Sequence, residues 1–191
     1  LVESPMKETH KAVLKLAKKN HAIISFDPNI RLPLWSSAEA CQETVREFLP
    51  DADLVKLSDE ECFFVTGKHS ILDAADWLFE QGCKMVLYSM GKEGAMILTP
   101  HFSSHVENPE VRVKDTTGAG DAIIGAYLYC LAKNHITVSQ LADCLPEQVQ
   151  EWLTFAVYYA NYSITKSGAI ASYPNYTTFV KWMQEKRKKA H

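Results

Sequence analysis

The residues best suited to chemistry form one short segment, Asp115 to Asp121, which reads Asp-Thr-Thr-Gly-Ala-Gly-Asp. Three small residues, Gly118, Ala119 and Gly120, stand at the predicted start of a helix, where bare backbone N–H groups and the positive helix end favour phosphate. Asp121 follows directly, and its carboxylate could take a proton from a substrate hydroxyl. The segment therefore predicts an anion cradle beside a general base, which is the combination that phosphoryl transfer uses.

A structural interpretation of the same segment stays open. Gly118 and Gly120 could form a tight turn, and Asp121 could simply complement the helix dipole. Two other phosphate motifs are excluded, because the chain has no G-x-x-x-x-G-K-[ST] sequence and Ile123 stands where the dinucleotide fingerprint requires glycine.

Further polar residues follow predicted strands. Asp27, Asn29 and Arg31 come after a strand at 21–26, at the end of a strand where open α/β sheets bind ligands. The alternative is an Asx-type turn with Arg31 in solvent. Ser58 and Glu61 follow the next strand, and on their own they form a helix capping box.

Apolar periodicity predicts alternating strands and helices along the whole chain. Strands are expected at 21–26, 52–57, 84–89 and 95–98, with edge strands interrupted by Pro109 within 101–114. Helices are expected at 7–20, 36–48, 58–67, 70–81, 118–133, 146–165 and 177–189. This alternation indicates an α/β fold with a largely parallel sheet, and without repeats or linkers residues 1–191 read as a single domain.

Composition narrows the possible partners and location. The 20 basic and 23 acidic residues give a net charge of −3, which provides no field for attracting nucleic acid. No apolar run approaches the length of a membrane span. The five cysteines form no C-x-x-C pair, which is typical of reduced, buried thiols in a cytoplasmic protein.

Residues 115–121 resemble, at every position, the D-T-x-G-A-G-D signature of the PfkB (ribokinase-like) carbohydrate kinases. Asp27-Pro28-Asn29-Ile30-Arg31, followed by Trp35, is similar to the D-P-N-x-R pattern of the fructokinase branch. The resemblance covers the chain in order but only the C-terminal part of a usual member. It implies a ribokinase-like three-layer α/β/α fold with a mostly parallel central sheet, whose N-terminal strands and lid are missing.

The resemblance also implies roles for the residues of the signature segment and for residues near it. Asp121 would be the catalytic base, and the anion hole would consist of Gly118, Ala119 and Gly120. Lys56 would face the ATP phosphates, and Glu61 would organise Mg²⁺ through water. Ser58 departs from the asparagine of the family's N-x-x-E segment, which weakens the argument for the metal.

Ser89 to Gly94 resembles the family's [ST]-x-G-x-x-G turn, where ribose and adenine pack against backbone. The implied nucleotide contacts there are Ser89, Gly91 and Gly94, joined by Thr117 from the signature. Val157 falls where many relatives have Asn or His near adenine, so an apolar contact is expected. By itself, the Ser89–Gly94 segment is an ordinary hairpin turn.

Many members bind K⁺ beside the adenine, and the segment Ser163 to Ala169 resembles that region. Whether K⁺ binds here stays open. The implied donors, mainly backbone carbonyls, belong to Asp115, Thr117, Ser163, Lys166, Gly168 and Ser172.

The implied activity is ATP- and Mg²⁺-dependent phosphorylation of a sugar, with fructose as the expected acceptor. Sugar contacts would come from Glu3, Asp27, Asn29 and Arg31. The alternatives are a kinase of the same family for ribose, a ketodeoxy-sugar acid or a nucleoside, and a catalytically inert nucleotide-binding fragment. A homodimer of the full-length protein would pair through the missing lid.

Overall fold

Five strands form one sheet in a computed structural model that describes Leu1 and residues 5–189. In the order of the sheet, the strands are β1 (Ser25–Phe26), β2 (Leu54–Ser58), β3 (Met85–Ser89), β4 (Ala95–Leu98) and β5 (Ser103–Val106). Strands β1, β2 and β3 pair in parallel, β4 is antiparallel to β3, and β5 is antiparallel to β4. All strands except β4 therefore run in one direction, which confirms the predicted, mostly parallel sheet.

Helices cover both faces of this sheet. They are α1 (Met6–Lys19), α2 (Ala38–Phe48), α3 (Asp59–Thr66), α4 (Ile71–Glu80), α5 (Ala119–Lys133), α6 (Pro146–Ser163) and α7 (Tyr176–Lys189). Alternate side chains of a strand point to opposite faces. Leu54 and Leu87 pack with α5 and α6, whereas Val55 and Val86 pack with α2, α3 and α4. The result is the predicted three-layer α/β/α arrangement.

Capping residues explain where several helices begin and end. Ser37 and Ser70 accept hydrogen bonds from the N–H groups of Ala40 and Asp73, at 3.1 and 3.3 Å. Gly67 ends α3 with a left-handed φ of 73°, a conformation that glycine adopts without steric cost. The helices therefore begin and end close to the bounds that the sequence predicts, 36–48, 58–67 and 70–81.

The strand predicted at 21–26 is much shorter in the structure, where only Ser25–Phe26 is a strand. The Ile24 N–H donates to a carboxylate oxygen of Asp53 at 3.0 Å. The side chain thus occupies the place of a backbone acceptor. His21 has a positive φ of 54°, which is incompatible with extended structure.

The predicted edge strands at 101–114 are reduced to β5, Ser103–Val106. Beyond it the backbone leaves the sheet, because the N–H groups of Lys114 and Asp115 both donate to the carbonyl of Ile164, at 2.8 and 3.2 Å. This pair of bonds carries the signature segment away from β5 and onto the loop that follows α6.

All five cysteines are free and buried, as the sequence predicts. Burial raises the pKa of the Cys62 and Cys83 thiols to about 11, so they remain protonated at neutral pH. Among residues 5–189, no helix is both long enough and apolar enough to span a bilayer.

Candidate active site

The start of α5 depends on glycine at position 118. Gly118 has a left-handed φ of 78° and caps the helix. A Cβ at this position would lie 2.7 Å from the Tyr173 hydroxyl and 2.8 Å from the Ala169 Cβ. The Tyr173 hydroxyl in turn donates to the Gly118 carbonyl at 2.9 Å. The close packing of the loop after α6 against this turn therefore excludes a side chain.

Gly118→Ala is expected to lower the free energy of unfolding by about 1–3 kcal/mol, because it combines backbone strain with a steric clash. Urea denaturation of both proteins measures the difference. Gly125→Ala is a matched control in the same helix, since a Cβ there meets nothing within 4 Å. That control should gain about 0.5–1 kcal/mol from helix propensity. Equal stability of Gly118→Ala and the native chain would show that the turn is not constrained.

Backbone N–H groups at the start of α5 differ in their availability. The Ala119 N–H donates to the Thr116 carbonyl at 3.1 Å and closes the turn. In the described part of the chain, the N–H groups of Gly118, Gly120 and Asp121 have no acceptor. Such groups at a helix N-terminus suit an anionic ligand. The predicted anion cradle therefore has fewer free donors than expected, because the Ala119 N–H already donates to the Thr116 carbonyl.

Lys56 projects from β2 toward this helix start and is only 6% exposed. Its Nζ lies 3.2 Å from the position that a Cβ on Gly120 would occupy. It also lies 3.3 Å from a carboxylate oxygen of Asp27 and 3.6 Å from one of Glu61. A buried ammonium group therefore stands directly beside the free N–H groups and is paired with the carboxylates of Asp27 and Glu61.

Glu61 is held by several hydrogen bonds. Its Oε2 accepts from the N–H and the hydroxyl of Ser58, both at 2.9 Å, and its Oε1 accepts from the Ile30 N–H at 3.1 Å. Burial alone would raise the pKa of Glu61, but the Lys56 charge and these hydrogen bonds outweigh it, so the pKa is lowered. The capping box that Ser58 and Glu61 predict is present.

Because the pKa of Glu61 is lower in the folded protein than in the unfolded chain, ionised Glu61 stabilises the fold at pH values above its unperturbed pKa of 4.5. This contribution to the free energy of unfolding is lost as the pH falls from 4.5 through the pKa that Glu61 has in the folded protein. Glu61→Gln should therefore lower the free energy of unfolding at pH 7 by about 1–3 kcal/mol. The difference should shrink below pH 4.5. Urea titrations at pH 7 and pH 4 test this, with exposed Glu60→Gln as the control. A difference that does not change with pH would contradict the assignment.

Asp27 pairs with Lys56, whereas Asn29 and Arg31 form hydrogen bonds with residues next to them in the sequence. Burial raises the pKa of Asp27, although the Lys56 charge opposes this effect. The Asn29 N–H donates to Asp27 Oδ1 at 3.3 Å, and Asn29 has a φ of 42°, which together form the Asx-type turn. The Arg31 side chain is exposed and donates to the Ile30 carbonyl at 3.0 Å. Glu3 lies outside the described residues.

A cavity of about 160 Å³ adjoins the other side of the helix start. It is lined by Ser89, Gly91, Gly94, Asn108, Ala119, Gly120, Ile123, Val157, Ala160, Asn161 and Ile164. The structure thus brings together Ser89, Gly91, Gly94 and Val157, which the sequence analysis nominates for the nucleotide. Thr117, nominated with them, is exposed and does not line this cavity.

The turn between β3 and β4 has a structural requirement of its own. A Cβ on Gly94 would lie 2.0 Å from the Val106 carbonyl oxygen, and Gly94 has a φ of 99°. The close approach of β5 to β4 therefore demands glycine there, independently of any ligand.

Several cavity residues are not nominated by the sequence analysis: Asn108, Ile123, Ala160, Asn161 and Ile164. Helical spacing could have found some of them, because Asn161 lies four residues and Ile164 seven after Val157, on one face of α6. Ile123 likewise lies three residues after Gly120 on α5. Asn108 has no such signal, since it enters from an irregular segment.

The segments named for K⁺ lie next to each other. Asp115 accepts hydrogen bonds from the Gly168 N–H at 2.8 Å and the Thr117 N–H at 2.9 Å. These bonds hold the pKa of Asp115 at about 2. The other nominated side chains have partners: the hydroxyls of Ser163 and Ser172 donate to backbone carbonyls, and Lys166 donates to the Tyr162 hydroxyl. The nominated segments thus bring backbone carbonyls and the Asp115 carboxylate close together, both of which are oxygen ligands that a cation can use.

Asp121 lies in the first turn of α5, with an exposed side chain. It lines a second, mainly apolar hollow of about 290 Å³ among α5, α6 and α7, whereas Gly120 lines the smaller cavity. Where the structure describes the chain, no group of three or more His, Cys, Asp and Glu side chains is arranged to hold a metal ion.

Residues 1–176 match the pfkB family carbohydrate kinase pattern. The chain belongs to the pfkB family of carbohydrate kinases. This confirms the resemblance that the signature segment indicates. Among curated relatives, the chain is 35% identical to the probable fructokinase-5 of Arabidopsis thaliana, covering 98% of this chain and 57% of that protein. It is 34% identical to fructokinase-2 of Solanum habrochaites, covering 91% of this chain and 52% of the relative.

Solved structures of family members share the fold. A fructokinase from Xylella fastidiosa with bound ATP matches with a TM-score of 0.88 and 26% identity, over 96% of this chain and 58% of the other. A double mutant of the Vibrio cholerae O395 fructokinase, bound to fructose, ADP and potassium ion, matches with a TM-score of 0.84 and 29% identity, over 96% and 57%. This pfkB chain therefore spans between half and three fifths of the length of these relatives.

Proposed function

We propose that this chain is the nucleotide-binding, C-terminal part of a sugar kinase that transfers the γ-phosphate of ATP to a sugar hydroxyl, with fructose as acceptor. One observation supports this most strongly. The helix start with free N–H groups at Gly118 and Gly120 lies between the buried Lys56 ammonium and the cavity beside α5. An anion placed there meets a positive charge and fixed donors, which is how phosphoryl transfer is stabilised.

The arrangement distributes the parts of the reaction over named residues. The base and ribose of the nucleotide lie against Ser89, Gly91, Gly94 and Val157, with Thr117 at the edge of the site. The phosphates extend toward Gly120 and Lys56. Asp121 accepts the proton of the attacking sugar hydroxyl, because it follows the free N–H groups directly and its side chain is accessible.

The residues around Lys56 are suited to hold Mg²⁺ only indirectly. Hydrogen bonds from Ser58 and Ile30 fix the Glu61 carboxylate, which would contact a hydrated ion through water, with Asp27 as the second carboxylate nearby. Bound together with ATP, Mg²⁺ would neutralise charge on the phosphates. K⁺ would be held by backbone carbonyls of residues 115–117 and 163–172, in keeping with the ion named for the Vibrio cholerae relative.

Fructose is the proposed acceptor because the relatives reported above are fructokinases and the Vibrio cholerae enzyme was solved with fructose. On this chain, Asp27, Asn29, Arg31 and Glu3 are the proposed sugar side of the site. The second candidates are a related acceptor, namely ribose, a ketodeoxy-sugar acid or a nucleoside, and a chain that binds nucleotide without turnover. We further propose a single domain over 1–191, a cytoplasmic location and a homodimer of the full-length protein.

A panel of sugars tests this proposal. ADP release is measured with the complete gene product that carries this chain, with fructose, ribose, a ketodeoxy-sugar acid and a nucleoside as acceptors. Fructose is expected to give the highest kcat/KM. A preference for another acceptor would replace fructose, and no turnover with any acceptor would contradict the kinase assignment. The 191-residue chain assayed in parallel should bind ADP without phosphorylating any sugar; turnover equal to that of the complete gene product would contradict that expectation.

A further inference from the structure

Two asparagines that line the cavity beside α5 have no part in the roles above. Asn108 follows β5, and Asn161 lies near the C-terminal end of α6. The Asn161 Nδ2 donates to the Asn108 Oδ1 at 2.8 Å, and both residues line the cavity. Asn161 is only 4% exposed. The polar atoms of a side chain buried to this degree normally have hydrogen-bond partners, so an atom without one calls for an explanation.

Two backbone carbonyls determine the orientation of both amides. The Asn161 Nδ2 also donates to the Val157 carbonyl at 2.9 Å, and the Asn108 Nδ2 donates to the Gly91 carbonyl at 2.8 Å. A carbonyl oxygen can only accept. Turning either amide around would therefore place two acceptors against each other. Both amide hydrogens of Asn161 are committed in the arrangement that results.

The Asn161 Oδ1 accepts no hydrogen bond from the residues that the structure describes. Among those residues, no fully buried side-chain nitrogen or oxygen lacks a partner, so this oxygen has access to open space. The cavity is the space that Asn161 lines. Asn108 keeps one amide hydrogen beyond its bond to Gly91. The cavity thus offers one fixed acceptor with a donor nearby, among the apolar side chains of Ile123 and Val157.

We infer that Asn161 reads the nucleobase and selects adenine over guanine, an inference that rests on the proposed placement of the nucleotide in this cavity. Adenine carries an exocyclic amine, a donor, beside ring nitrogens that accept; guanine carries a carbonyl oxygen at the position of that amine. The Asn161 Oδ1 pairs with the amine of adenine and faces the lone pairs of the guanine carbonyl. Selection therefore combines one attraction with one repulsion.

The position of Asn161 on α6 supports this role. Val157 lies one helical turn earlier on the same face, where it gives the base an apolar contact and gives Asn161 a carbonyl that fixes its amide. The cavity of about 160 Å³ is smaller than the roughly 300–1,000 Å³ that encloses a whole drug-sized ligand, so it suits one portion of a nucleotide.

Calorimetric titration with ADP and GDP tests the inference, using the complete gene product that carries this chain. The native protein should bind ADP about 10- to 100-fold more tightly than GDP. Asn161→Leu should weaken ADP binding by about the same factor and leave GDP binding within about threefold, so that the preference disappears. Asn134→Leu is the matched control, because Asn134 also donates its Nδ2 to the carbonyl one turn earlier, that of Cys130, but lies outside this cavity. The control should keep the preference.

The outcomes separate the inference from the function on which it rests. If the native protein binds neither ADP nor GDP, the proposed function fails. If it binds ADP and Asn161→Leu keeps the native preference over GDP, the inference fails and the nucleotide site stands. Purine riboside diphosphate, which lacks the exocyclic amine, gives a test without a variant in case Asn161→Leu does not fold. The native protein should bind it about 10- to 100-fold more weakly than ADP, and equal binding would overturn the inference.

Discussion

Asp121→Asn is expected to lower kcat for sugar phosphorylation by about 10²–10⁴-fold in the complete gene product, which is the usual contribution of a general base. Asparagine keeps the size and shape of the side chain in the first turn of α5 but cannot take a proton from the sugar hydroxyl. Because the nucleotide cavity is lined by Gly120 and not by Asp121, the affinity for ADP should stay nearly constant. Steady-state kinetics and ADP titration measure the two quantities separately.

Asp76→Asn provides the control for this experiment. Asp76 is exposed on α4, which covers the opposite face of the sheet from α5. The same change of charge and shape there should leave kcat unaltered. If Asp121→Asn retained more than about a tenth of the native kcat, Asp121 would serve only the helix dipole, which is the structural interpretation that the sequence leaves open.

Gly120→Val is expected to lower kcat/KM by about 10²–10³-fold, the usual cost of losing a donor that stabilises developing charge. A Cβ on Gly120 would lie 3.2 Å from the Lys56 Nζ and 3.8 Å from its Cε, so the branched side chain must displace the ammonium and cover the adjacent N–H groups. Initial rates at varied ATP and fructose concentrations measure the loss.

Gly125→Val separates this effect from a loss of helix stability. The substitution is identical and lies in the same helix, but a Cβ on Gly125 meets nothing within 4 Å. Both variants replace glycine with the same β-branched residue in one helix, so the small gain in helix propensity is common to both. If Gly120→Val kept the native kcat/KM, the anion-hole assignment would be wrong. If both variants lost kcat/KM equally, the loss would come from a change in helix stability.

The sequence predicts well the strands and helices that position this site, because they depend on local patterns. Short apolar runs mark β2 and β3, and the capping serines mark the starts of α2, α3 and α4. The signature segment places glycines and Asp121 at the start of α5, and the Gly118 contacts with Tyr173 and Ala169 show why a glycine is required there.

Contacts between distant segments could not be predicted from local patterns. The ammonium of Lys56 meets Asp27 across 29 residues, and the amide of Asn161 meets Asn108 across 53. The shortness of β1 has a similar cause, since the Asp53 side chain, and not a backbone carbonyl, accepts the Ile24 N–H. The bonds of Lys114 and Asp115 to Ile164 likewise replace the expected continuation of β5. Each of these depends on a tertiary contact that leaves no periodic signal in the sequence.

Transfer of label from γ-³²P-ATP to fructose tests the central claim most directly. The complete gene product that carries this chain is incubated with labelled ATP, Mg²⁺ and fructose, and the products are separated. The account predicts label in a fructose phosphate with the native protein, and a reduction of about 10²-fold or more with Asp121→Asn at the same protein concentration. Label that remained in ATP, or appeared only in inorganic phosphate, would contradict it.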